Sequence, residues 1–322
     1  MIMDSFNIPL EQLNLEVLGV TNYTKKKVWY TVKAGVSGDD CEVPVTIGVV
    51  RGCQSGPTIY VGGAAHSDEI GGAEVASRLV EILKPEKLTG TVIVVPLQDP
   101  LAIRYSYWSG GRLDGVDRHT DWVHEALSRL ALKCSAIIDI HCPSFFNIYK
   151  PTAYVPVAEN MKPYISLARA LSVRFTIEFK GEGLIQEAAR NKIPAVIYEF
   201  GEGGRRNSKD VRLAVKAIER AIAYLGNNCK EECRSGELSK LKVEPIHIVK
   251  TIPVYACASG FPEYMVAPGE QLRAGAIISE INSIRRARCR VVAPADSWLL
   301  NTSSKPYLNL RDRVALLGLL EN

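Results

Sequence analysis

The chain has 322 residues, enough for a large core and, as an expectation, two domains; 47 % of them are hydrophobic, as in an ordinary globular protein. The formal charge of +4 is small and the charges are interspersed, so no dense basic face points to nucleic acid. No apolar run approaches a membrane span and the start, Met1 to Phe6, lacks signal-peptide character, so the sequence predicts a cytoplasmic protein with no membrane partner. In chain order, Val28 to Val32 and Val43 to Val50 read as strands separated by Gly and Asp turns. Gly56-Pro57 introduces a third, Thr58 to Val61, which small residues break at Gly62-Gly63-Ala64-Ala65. His66 and Glu69 follow at i, i+3, and the amphipathic stretch Ala73 to Leu83 predicts a helix whose first turn carries both on one face. An imidazole and a carboxylate so placed can share a metal ion, and a catalytic zinc needs one more protein ligand and an open position.

Thr91 to Pro96 reads as a strand covered on both faces. The irregular stretch from Gln98 to Asp117, with Arg104, Arg112 and Gly110-Gly111, suits a loop over a site. A helix is predicted over Asp121 to Leu132, with His119 and His124 near its start as exposed helix histidines. Ala136 to Ile140 is the next strand and ends in His141-Cys142. Helical patterns recur over Met161 to Leu171 and Leu184 to Arg190. Ala195 to Phe200 is a buried strand with Glu199 near its end, and a last helix spans Lys209 to Leu225. The alternation predicts an α/β fold, a mixed and partly parallel sheet covered by helices, and such sheets carry their sites outside the carboxyl ends of the strands. His66, His141 and Glu199 each fall at or just past the end of a different strand run.

A polar, charged stretch suggests a linker over residues 227–242, dividing an α/β domain with the candidate metal ligands (1–226) from a β-rich C-terminal domain (243–322), a small all-β barrel-like module. The eight cysteines show no CxxC or zinc-ribbon spacing and read mostly as buried small hydrophobes; Cys229 and Cys233 have helical spacing within the linker.

With these residues in place the chain resembles the succinylglutamate desuccinylase/aspartoacylase family, relatives of zinc carboxypeptidases. The family's His-Gly-Asp/Asn-Glu motif is matched by His66-Ser67-Asp68-Glu69, with Ser in place of Gly. Its Asp-x-His is matched by Asp139-Ile140-His141, and its Glu-x-Gly by Glu199-Phe200-Gly201. The C-terminal module resembles the family's small β-barrel, without an attachment lysine at the Ala293 to Asp296 turn. The resemblance implies a zinc carboxypeptidase-like fold and one Zn²⁺ per chain held by His66, Glu69 and His141. It also implies hydrolysis of the amide bond of a small N-acyl amino compound, with Glu199 as base. Arg112, or Arg104, is the candidate to steady the oxyanion. Rival readings are a metallocarboxypeptidase acting on peptides and a non-catalytic metal-dependent binding protein; a homo-oligomer is compatible with either.

The departure lies in the loop, where relatives carry Asp-Leu-Asn-Arg and this chain has Asp114-Gly115-Val116-Asp117-Arg118-His119. Aligned on Arg118, the Asn position is Asp117; aligned on Asp117, it is His119 and the arginine is lost to Thr120. Asp117 offers acceptors only, so beside Arg118 it disfavours a substrate carboxylate and favours a cationic group. The expectation is therefore that acylated basic compounds are preferred over dicarboxylic amides; the alternative reading is that Asp117 faces solvent and Arg104 or Arg112 replaces the carboxylate clamp.

Overall fold

The central strands of the sheet are buried along most of their length, so each feeds a core on both faces. The computed structural model describes residues 7–36, 42–66, 68–101, 121–143, 146–227, 245–285 and 287–320. In chain order the first strands are β1 (Asn7–Pro9), β2 (Lys27–Val36), β3 (Glu42–Arg51), β4 (Gln54–Gly63), β5 (Thr89–Val95), β6 (Ala136–His141), β7 (Asn147–Pro156), β8 (Phe175–Phe179) and β9 (Ala195–Glu202). The helices are α1 (Ile70–Ile82), α2 (Asp121–Ala131), α3 (Lys162–Ala170), α4 (Leu184–Arg190) and α5 (Ser208–Asn227). The centre of the sheet runs β5-β4-β6-β9, all parallel, with antiparallel β3 and β2 beyond β5 and antiparallel β7 beyond β9. The mixed, partly parallel α/β sheet is thus present.

One side of each central strand feeds one core. Ile59 and Val61 of β4, Ile138 and Ile140 of β6 and Val196 and Tyr198 of β9 pack with Val75 and Leu79 of α1, Leu167 of α3 and Ile218 of α5. The other side, Tyr60, Ile93, Ile137 and Ala195, packs with Val123 and Leu127 of α2 and Ile185 of α4. Each such fully buried aliphatic side chain contributes about 1.5–3 kcal/mol relative to exposure. On this second side the apolar series is interrupted toward the strand ends by Asp139, His141 and Glu199. Period-2 alternation therefore places these three on one face, where polar groups replace core.

The helix expected at Ala73 begins earlier, at Ile70, with Glu69 as its N-cap. His66 and Glu69 thus lie in the turn before α1 rather than in its first turn. Ala64, at φ 47, turns the chain out of β4 in a left-handed conformation that costs a residue with a Cβ about 1–2 kcal/mol. Glycines let α1 sit hard against the sheet: a Cβ on Gly63 would lie 2.6 Å from the Gly72 carbonyl oxygen, and one on Gly72 would lie 2.6 Å from that of Ile140.

From Ile246 on, the described elements are all strands: β10 (Ile246–Ile248), β11 (Lys250–Tyr255), β12 (Phe261–Tyr264), β13 (Gln271–Leu272), β14 (Ile277–Asn282), β15 (Arg288–Val292), β16 (Ser297–Ser303) and β17 (Arg313–Leu319). They share a small core of their own around Ile278, Ile281, Leu299 and Leu317. The pairings among the described residues do not close them into a barrel. β12, β14 and β15 form a separate three-stranded sheet, while β16 pairs with β7 and β10 with β8, so the main sheet runs on into this segment. The suggested linker lies outside the described residues but for Asn227. Among the described residues no helix is long and apolar enough to cross a membrane. The reading of the cysteines needs one correction, since Cys257 and Cys289 are bonded to each other across 32 positions. Cys134 and Cys142 are free and buried.

Candidate metal centre

Three strand ends converge. His66 and Glu69 follow β4, His141 ends β6, and Glu199 is the register neighbour of His141 on β9. His66, Glu69 and His141 each offer a ligand atom within 4.8 Å of the others. His66 Nδ1 lies 2.6 Å from Glu69 Oε1, and His141 Nδ1 lies 2.9 Å from Glu69 Oε2. The rings of His66 and His141 meet edge to face at 5.0 Å. Glu69 and His141 are 3 % and 7 % exposed, so their charges are little screened.

A buried relay fixes His141. Its Nε2 lies 3.1 Å from Asp139 Oδ2; Gln98 Nε2 donates to Asp139 Oδ1 at 2.8 Å; and the Tyr60 hydroxyl donates to Gln98 Oε1 at 2.9 Å. With Nε2 as donor to Asp139, loss of the Nδ1 proton would leave that nitrogen's lone pair facing the centre, the arrangement that a ligating histidine requires. Gly62 makes room for this relay, since a Cβ there would lie 2.5 Å from the Gln98 side chain.

The charges follow from the packing. Burial pushes the Glu69 carboxyl up, but the charges and hydrogen bonds of His141 and His66 outweigh it and hold the group at about 2. Burial opposes the His141 imidazolium, but Glu69 and Asp139 more than compensate and raise it well above its ordinary value. For Glu199 the balance is reversed. Burial first, then the Glu69 charge, push it up to about 8 and outweigh the lowering charge of His141, and its Oε1 is buried without a hydrogen-bond partner among the described residues. The Cys142 thiol is raised well above its ordinary value, chiefly by burial, and stays protonated against Gly71. Asp68 is buried beside the turn but is not one of the three convergent residues.

The centre opens into a cavity of about 830 Å³. Arg112, Arg118, Asp117, Arg104 and His119 lie outside the described residues. His124 is only partly exposed and lines this cavity together with Ser128 one turn on, with Nε2 4.0 Å from Asp99 Oδ2. Sequence reasoning also passed over Gln98, Tyr149, Tyr154 and Arg313, all of which line the cavity. Only Gln98 had a signal, its position just past the β5 end.

Fold and site together define an α/β protein with a candidate metal centre at the carboxyl ends of its parallel strands. Residues 55–107, which include His66 and Glu69, match the family model of the succinylglutamate desuccinylase/aspartoacylase catalytic domain. The chain is 25 % identical over 302 residues to the N-alpha-acetyl-L-2,4-diaminobutyric acid deacetylase of Halomonas elongata, covering 86 % of this chain and 85 % of that one. A succinylglutamate desuccinylase/aspartoacylase structure from Rhodobacter sphaeroides superposes with a TM-score of 0.75 at 19 % identity, covering 94 % of this chain and 98 % of that one. The product-bound ectoine utilization protein EutE (DoeB) of Ruegeria pomeroyi superposes with a TM-score of 0.71 at 18 % identity, covering 92 % and 95 %. These two structures speak for a shared fold. The chain thus resembles the succinylglutamate desuccinylase/aspartoacylase family in sequence and fold, and the names of the family and of the Halomonas relative are those of deacylases.

Proposed function

We propose that the protein is a zinc-dependent hydrolase that cleaves the amide bond of a small N-acyl amino compound. The observation that carries this reading is the convergence of His66, Glu69 and His141 beside Glu199, a partly buried carboxylate with one buried oxygen that has no hydrogen-bond partner among the described residues. Two imidazoles and a carboxylate suit zinc, the ligand atoms are close enough to share one ion, and the Asp139 contact at Nε2 leaves Nδ1 as the nitrogen that would ligate. Bound there, zinc supplies a Lewis acid that polarises a carbonyl and acidifies water. Glu199 takes the proton of the attacking water on its carboxylate and returns it to the leaving nitrogen. Glu199, raised to about 8, would be drawn down toward neutrality beside a bound cation, where a base is most effective.

The substrate class rests on two supports. Asp117 beside Arg118 replaces the family's Asn-Arg pair, and the Halomonas relative is named for an acetylated diamino acid. N-acylated basic compounds are therefore the proposed substrates, ahead of acetyl-aspartate and succinyl-glutamate. The test is metal analysis of the purified protein followed by kcat/KM across those compounds and a set of peptides. The expected result is about one zinc per chain and fastest turnover of the acylated basic compounds. Cleavage of peptides alone would make the protein a carboxypeptidase, and zinc binding without any hydrolysis would make it a binding protein.

A further inference from the structure

We propose that Arg313 is a specificity-determining residue that receives the carboxylate of the amino-acid part of the substrate, a role that rests on the N-acyl hydrolase reading above. Arg313 opens β17, far in sequence from the metal-centre residues, and its side chain lines the same cavity. It is the only Lys or Arg among the described residues lining that cavity, which also carries the acidic Glu182, Glu187 and Glu199. An arginine facing so many carboxylates would ordinarily be paired with one. Here, among the described residues, its recorded hydrogen bond is from Nη2 to the amide oxygen of Asn147, at 3.2 Å, and no carboxylate lies within ion-pair distance. A guanidinium has five N–H donors, so a neutral amide leaves most of its fork open for a bidentate carboxylate.

The position of Arg313 indicates which part of the substrate it meets. Tyr149 and Tyr154 lie side by side, their hydroxyls 3.3 Å apart. The charges of Glu199 and Arg313 reach both phenols with opposite sign, so the tyrosines stand within reach of each. Strand pairing sets this order: Thr152 of β7 is opposite Glu199, Tyr149 is opposite Asn301 of β16, and β16 pairs in turn with β17. Glu199 hands its proton to the leaving nitrogen, so the group attached to that nitrogen extends along the Tyr149–Tyr154 wall toward Arg313. An α-carboxylate on that group meets the open guanidinium, while the acyl carbon stays at the metal centre.

The experiment compares two substrates that differ only by the carboxylate, Nα-acetyl-2,4-diaminobutyrate and N-acetyl-1,3-diaminopropane, with wild-type protein, Arg313→Gln and Arg313→Lys. Arg313→Gln should lower kcat/KM for the carboxylate substrate by ~10–100-fold, mainly through KM, as loss of a charged hydrogen bond does, and change that for the decarboxylated one by less than ~2-fold. Arg313→Lys should recover part of the loss. Equal losses on both substrates, or none on either, would overturn the assignment. Should wild-type protein hydrolyse neither compound nor any other acylated compound of the panel above, the function reading fails. Calorimetric binding of free 2,4-diaminobutyrate and 1,3-diaminopropane to wild type and Arg313→Gln then decides the role of Arg313. Selective weakening of the amino acid supports it, and unchanged affinity refutes it.

Discussion

At the scale of single residues, the proposed metal centre and its proposed base make separable demands. His141→Ala and Glu69→Ala should abolish zinc retention, since each removes one of three convergent ligands. Glu199→Gln keeps shape but removes the base; zinc should remain near one per chain while kcat falls by ~10²-fold or more. Near-normal turnover in that variant would assign water activation to another group. Gln98→Leu should weaken zinc affinity by ~10–100-fold without touching a ligand, because Asp139 and hence His141 lose their anchor. The metal-free chain also carries a pH signature. Glu199 is raised to about 8, so between its ordinary value of 4.5 and about 8 the native state holds a proton that the unfolded chain has released. Native stability therefore falls as pH rises through that window. His141, raised in the fold, adds a loss of the same sign as pH climbs toward its folded value, and that loss persists when Glu199 is replaced. Melting midpoints of metal-stripped protein should thus fall more steeply with pH in wild type than in Glu199→Gln; parallel slopes would remove Glu199 as the cause.

At the scale of elements, contact between α1 and the sheet sets the position of Glu69. Gly72→Ala puts a Cβ 2.6 Å from the Ile140 carbonyl oxygen, a backbone atom that cannot swing aside. The substitution should cost about 1–3 kcal/mol in denaturant unfolding and weaken zinc binding, because lifting α1 carries its N-cap away from His141. An unchanged unfolding midpoint would show that the helix shifts freely. The strand ends bearing His141 and Glu199 were legible in the sequence because both strands open on apolar runs, Ala136 to Ile138 and Ala195 to Tyr198, as strands buried in the middle of a sheet do. β7 was not, since it is only partly buried and Lys150 and Pro151 interrupt its pattern. Missing β7 meant missing Tyr149 and Tyr154, and with them one wall of the cavity.

At the scale of the whole molecule, the β-rich nature of the C-terminal segment was legible from its short runs and turns, but its attachment was not. Pairing of β16 with β7 is a contact between distant segments that no local pattern encodes, and it is what brings Arg313 to the site. The Cys257–Cys289 bond was equally invisible, because two cysteines 32 positions apart carry no spacing signal. Closing a loop of that length restricts the unfolded chain, so Cys289→Ala should cost about 3 kcal/mol, and Cys257→Ala with Cys289→Ala no more than either alone. Additive losses would mean that the two thiols act separately.

The parallel pairing of β4, β6 and β9 has a kinetic consequence. Each partner is reached only after a crossover, and the groups brought together stand at positions 66, 69, 141 and 199 of the chain. No hairpin and no single crossover unit contains them all, so the search for native contacts must close two long loops before the ion has a seat. Zinc uptake during refolding, followed with a competing chromophoric chelator, should therefore track the final phase of recovery of native fluorescence rather than any early collapse. Uptake in the first phase would mean that the turn carrying His66 and Glu69 captures metal before the sheet is built.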